Sequence, residues 1–201
     1  MFKSDAYQDQ FVHRILSGKR DGYFIDIGSC GAISSNNTYV FESFNWRGIC
    51  VEIEKSYAHT YSSRRCKFIN DNALKLDYRT ILQQDNAPKT IDYLSVDIDE
   101  LSLDALKLLP HDEYQFSVIT IEHDGYIYGD KYRNQQREFL KSLGYHLFAG
   151  NVRVPDAHFR SLSGLNHLDN NGFEDWWTHP SLNKNDVSFS NIFPENVLSA
   201  I

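Results

Sequence analysis

Five short apolar runs, each ending on or beside an acidic residue, recur along this chain with helix-like segments between them. They are YFIDIG (Tyr23 to Gly28), GICVEI (Gly48 to Ile53), KFIND (Lys67 to Asp71), DYLSVDI (Asp92 to Ile98) and FSVITIEH (Phe116 to His123). Being short, rich in β-branched and aromatic residues and bounded by turn formers, they read as buried strands. Helical spacing marks Tyr39 to Phe44, Tyr57 to Arg64, Ala73 to Leu82, Leu101 to Leu109 and Tyr132 to Leu143, the last stopped by Gly144. Strand and helix in alternation imply an α/β fold with a mostly parallel sheet and helices on both faces. Tyr7 to Leu16 reads as a leading helix, apolar at Phe11, Val12, Ile15 and Leu16, and YHLFAG followed by VRVPD is expected to close the sheet as a terminal hairpin.

At 201 residues and 41% hydrophobic, the chain suits one sizeable core. The expected layout is a single domain: a leading helix over 1–20, a core over 21–154 and a loop-rich tail over 155–201. The tail, which includes GFEDWWTHPSL, is too aromatic for disorder and is expected to cover the carboxyl ends of the strands, fraying from about Asn183. Such a chain is compatible with a place in a larger multidomain protein. A formal charge of −7 argues against a nucleic-acid partner and for a neutral or cationic ligand. Cys30, Cys50 and Cys66 are odd in number and two fall in or beside core strands, which points to reduced thiols and a cytoplasmic location. No apolar run approaches the length of a membrane span, and no pattern fixes an oligomeric state.

In an open parallel sheet, ligands bind beyond the carboxyl ends of the strands. Those ends here carry Asp26, Gly28, Ser29 and Gly31, then Glu52, then Asp71 and Asn72, then Asp97, Asp99 and Glu100, and last Glu122, His123 and Asp124. Gly28 and Gly31 suit a close backbone approach, and Glu52 lies about 20 residues on, where an acid takes both hydroxyls of a ribose. The G-x-x-G spacing departs from the dinucleotide fingerprint, and a basic residue for a pyrophosphate is missing. An acid before the glycine turn suits a ligand bearing an amino group, as S-adenosylmethionine does. The alternative is a tight turn with a solvated acid.

DGYFIDIG, SNNTYVFE, WRGICVEIE, IDYLSVDIDE and VITIEHD together resemble the FkbM family of S-adenosylmethionine-dependent methyltransferases, from about Tyr7 to Gly150, and FEDWWTHPSL resembles a tail of some members. The resemblance implies a Rossmann-like class I methyltransferase fold with a seven-stranded sheet. It also implies a cofactor site of Asp26, Gly28, Glu52, Asp71 and Asn72 with Ser29 and Asn37, over which Gln8 and Asp9 close. Members of the family methylate hydroxyl groups, often on sugars, so the acceptor implied is a small molecule or glycan, such as one carrying a rhamnose-like deoxyhexose. This chain has Asp99, Glu100 and Ser102 where the family has an acid, a glycine and a later glutamate, so its acceptor loop is more acidic and lacks the glycine.

Asp97, Glu122 and His123, at adjacent strand ends, are a candidate ligand set for Mg²⁺ or Mn²⁺; the alternative is hydrogen bonding to substrate and cofactor, with His123 a satisfied strand-end histidine. Candidate catalytic residues are His123 as base, with Asp99 the alternative, and Asp97; if His123 ligates metal, Asp99 or Asp124 takes the role of base. Tyr126, Tyr128, Trp176 and Trp177 are candidates to stack on a sugar, or local core. Two further functional readings stand beside the methyltransferase: an NAD-dependent oxidoreductase and a non-catalytic S-adenosylmethionine-binding module.

Overall fold

The computed structural model of the protein describes residues 2–153 and 172–182. Among these, seven strands form one sheet in the order β3-β2-β1-β4-β5-β7-β6. They are β1 (Tyr23–Ile27), β2 (Arg47–Glu52), β3 (Lys67–Asn70), β4 (Thr90–Val96), β5 (Gln115–Glu122), β6 (His146–Val152) and β7 (Glu174–Thr178). The first five are parallel, and β7 runs antiparallel between β5 and β6. The dinucleotide-binding order is 3-2-1-4-5-6, so the inserted antiparallel strand sets this sheet apart from it.

Alternate strand residues feed two cores. On one face Ile25, Val51, Leu94, Ile119 and Trp177 pack with α2 (Tyr78–Gln84), α3 (Ser102–Leu108) and α5 (Lys131–Ser142). On the other, Phe24, Cys50, Tyr93, Val118 and Trp176 pack with α1 (Gln8–Ile15) and with a 3₁₀ segment over Tyr39–Phe44. A short α4 (Gly125–Tyr128) follows β5. Tyr57 to Arg64, expected as α-helix, winds as 3₁₀ over Lys55–Ser63. Ala73 to Leu82 divides: Ala73–Lys75 is 3₁₀, and α2 starts afresh where the Asp77 carboxylate accepts from Thr80 N at 3.1 Å and Thr80 Oγ1 at 2.6 Å.

The sheet does end in an antiparallel hairpin, β6 with β7, but its strands are not the two expected. YHLFAG and the start of VRVPD form the single strand β6, whose antiparallel partner is β7, drawn from the tail. The pairing absorbs register shifts between Leu147 and Val152, and Asn151 sits at φ 59° with its side-chain oxygen bonded by Arg133 and Arg137. Trp176 and Trp177 are fully buried, one in each core, so they are core residues and are not exposed to stack on a sugar. The rest of the expected tail, 155–171 and 183–201, lies outside the described residues. No helix among the described residues is long and apolar enough to cross a membrane.

Candidate functional site

The order of strands reverses between β1 and β4, and a cavity of about 320 Å³ opens at their carboxyl ends. Gly28, Glu52, Asp71, Asn72, Asp97 and Asp99 line it, with Ile53 and Leu101 partly exposed at its edge. None of residues 172–182 does, so the described part of the tail does not cover this cavity.

Gly28 makes the floor possible. Its φ is 82°, and a Cβ there would stand 1.8 Å from the carbonyl oxygen of Asp97. Gly28→Ala is therefore expected to cost several kcal/mol of stability, or to displace the end of β4 and abolish ligand binding; chemical denaturation and calorimetry on one preparation would separate the two. Gly31, by contrast, has ordinary space around its Cβ position and does not line the cavity.

Glu52 is buried at the end of β2, and its two carboxylate oxygens are each fixed by a backbone amide: Cys30 N–H donates to Oε2 and Glu54 N–H to Oε1, both at 2.8 Å. The carboxylate is thus oriented before any ligand arrives, with lone pairs left for two hydroxyls. Asp71 is exposed on the rim, while Asn72 caps the turn behind it by accepting from Leu74 N at 2.8 Å. The two amides that orient Glu52 were beyond sequence reasoning, because neither depends on a side chain.

Five other residues expected at the cofactor lie outside the cavity lining. Asp26 is buried beneath it and accepts from Thr38 Oγ1 at 2.8 Å; burial raises its pKa to about 6. Ser29 is tied to Tyr61 at 2.7 Å, and Asn37 donates to Ser95 Oγ at 3.0 Å. Gln8 reaches the buried Glu174 on β7 at 3.2 Å. Asp9 accepts from Ser4 Oγ and the amides of Lys3 and Ser4, which ties down the start of its own helix.

Next to the cavity, Asp97 and Glu122 lie within hydrogen-bonding reach of each other; burial first, and then the Asp97 carboxylate, raise the pKa of Glu122 far above the carboxylate range, a pairing that favours one proton held between the two. Asp99 N–H donates to Glu122 Oε2 at 3.0 Å. Asp124 is buried next to them, and burial first, then its acidic neighbours, lift its pKa to about 6.

His123 does not join this group, which corrects both its expected roles. Its Nδ1 accepts the Gly125 amide at 3.0 Å, and its Nε2 lies 3.4 Å from Asp175 Oδ1 on β7. That tautomer leaves no free lone pair to act as base, and the ring is fully buried outside the cavity. Asp97, Glu122 and His123 are therefore not one ligand set: neighbours on a strand point to opposite faces, and the cluster among the described residues is Asp99, Glu122 and Asp124. Asp175 is held in turn by Arg137 at 2.7 and 2.8 Å, and these bonds outweigh its burial and bring its pKa down to about 2.

No protein-family model matches the sequence, and no curated protein does. Solved structures do match. A candidate rRNA methylase from Clostridium thermocellum superposes with a TM-score of 0.54 at 14% identity, over 89% of this chain and 97% of its own. A candidate O-methyltransferase from Klebsiella pneumoniae gives 0.51 at 14% identity, over 87% and 80%. Fibrillarin from Aeropyrum pernix, with S-adenosyl-L-methionine natively bound, gives 0.50 at 13% identity, over 87% and 76%. This chain has the methyltransferase fold. At such identities the likeness concerns the fold alone, and the chemistry must be argued from the cavity. On a methyltransferase sheet that cavity lies beyond β1, β2 and β4, and the acid cluster lies beyond β4 and β5.

Proposed function

We propose that the protein is an S-adenosylmethionine-dependent methyltransferase that acts on a hydroxyl group, that of a sugar or glycan. One observation carries the reading: among the described residues, the cavity is lined by Glu52, Glu54, Asp71, Asp97 and Asp99 and by no lysine or arginine. A pyrophosphate would be repelled there, which counts against NAD, whereas the sulfonium and ammonium of S-adenosylmethionine are drawn in. Glu52 would take the ribose hydroxyls and Asp71 with Asn72 would border the base. The donor is already activated, so the protein must align the acceptor oxygen with the methyl carbon, exclude water and accept a proton. Asp97 or Asp99 would accept that proton. Tyr126 and Tyr128 beside the acids offer aromatic faces next to hydrogen-bond acceptors, a combination that suits a sugar.

Calorimetric titration with S-adenosylhomocysteine tests this. Binding is expected in the wild type, and Glu52→Ala should weaken it about tenfold or more, since a buried charged acceptor contributes about 1.5–3 kcal/mol. Tight NAD binding with no response to S-adenosylhomocysteine would sink the reading. Transfer assays against sugar and RNA acceptors should favour the sugar.

A further inference from the structure

We propose that Asp99, Glu122 and Asp124 form a divalent-cation site at the acceptor end of the cavity. One carboxylate oxygen from each lies within 4.8 Å of the other two. Six oxygen ligands about a hard cation at 2.0–2.6 Å stand roughly 3–5 Å apart, so the three need little movement to share one ion. Asp124 supplies an independent sign of a missing partner. It is 1% exposed, and its Oδ1 accepts no hydrogen bond. Leaving such an acceptor buried is costly unless something fills the gap.

Nor does the protein supply the counter-charge: among the described residues, none of the three acids pairs with a lysine or arginine. Glu122 is steadied by the Asp99 amide at 3.0 Å, so two of the three ligands are already tied together. Asp99 is exposed, which leaves coordination positions open to water or to a second molecule. That openness, with all-oxygen ligands, suits Mg²⁺ or Mn²⁺. The site stands on its own geometry. Its role rests on the transferase reading: the ion would hold the acceptor hydroxyl and lower its pKa.

The test is a Mn²⁺ titration of the chelator-stripped chain followed by electron paramagnetic resonance. One equivalent should bind saturably with a Kd of about 1 mM or tighter, and Asp99→Asn and Asp124→Asn should each weaken it about tenfold or more. Asp112→Asn, an exposed acid paired with Arg79, should leave it unchanged. Absence of saturable binding, or wild-type affinity in a folded Asp99→Asn protein, overturns the site; Asp99 is exposed, so that variant folds even where Asp124→Asn does not. S-adenosylhomocysteine titrated into the same samples separates the two ideas. Its binding without Mn²⁺ binding removes the ion site alone, and Mn²⁺ binding without it removes the transferase role and leaves the site.

Discussion

Trp177→Ala is expected to destabilise the protein by about 3–5 kcal/mol, a large part of the stability of an ordinary domain. Trp177 is fully buried in the core shared with α2, α3 and α5, and lies between Ile119 on β5 and Leu147 on β6. Neither neighbour can close a void of that size. Trp176→Ala should cost a similar amount, because it removes the ring stacked on Phe11 at 4.4 Å and the indole N–H given to Glu174. Removing β7 altogether, by truncation after Gly150, should leave no cooperative fold, since β6 would lose its only partner among the described strands and β5 one of its two. Urea denaturation followed by circular dichroism measures all three. A truncated chain that still unfolds cooperatively and binds S-adenosylhomocysteine would place β7 outside the core. Ile127→Ala, on a residue that is 58% exposed, is the contrast and should change stability little.

The difference between a covering tail and a core strand shows where the sequence ceases to be legible. The five parallel strands are visible because burial on both faces forces near-continuous apolar runs. Their direction then carries Gly28, Glu52, Asp71, Asn72 and Asp97 to one end of the sheet, where the cavity is. EDWWT has no such signature: two acids precede two adjacent tryptophans, and burial of both faces is achieved by pairing with Ile121 and Thr120, some 50 residues earlier in the chain. Local pattern cannot express a partner that distant. The His123 error has a different cause. A strand-end residue faces the side its register dictates, and only beyond it does the chain turn, at Asp124 with φ 46°, to bring that carboxylate toward Asp99 and Glu122. Sequence adjacency therefore favoured the histidine, while the backbone turn selected the aspartate.

Stability measured in EDTA without ligand should fall as pH rises from about 5 to 8, and Glu122→Gln should remove much of the fall. Asp26 and Asp124 are raised to about 6 and Glu174 to about 8, each chiefly by burial, and Glu122 is raised by burial and by Asp97. The sign follows from linkage: the folded state keeps protons that the unfolded chain releases near its ordinary carboxyl pKa, so stability is greatest below that value and declines as pH climbs toward the folded pKa. Asp175 acts in the other direction. Its pKa of about 2 contributes stability that is complete above pH 4 and is lost on further acidification, which bounds the optimum from below. A glutamine at position 122 has the shape of the protonated acid, donates to Asp97 and still accepts the Asp99 amide. It carries no charge to release. One group holding one extra proton changes stability by at most about 1.4 kcal/mol per pH unit, a limit of about 4 kcal/mol over the three units from pH 5 to 8, so the Tm of Glu122→Gln should exceed that of the wild type at pH 8 by several degrees. Parallel Tm–pH curves for the two proteins would show that Glu122 is ionised in the folded state and that no proton is shared with Asp97.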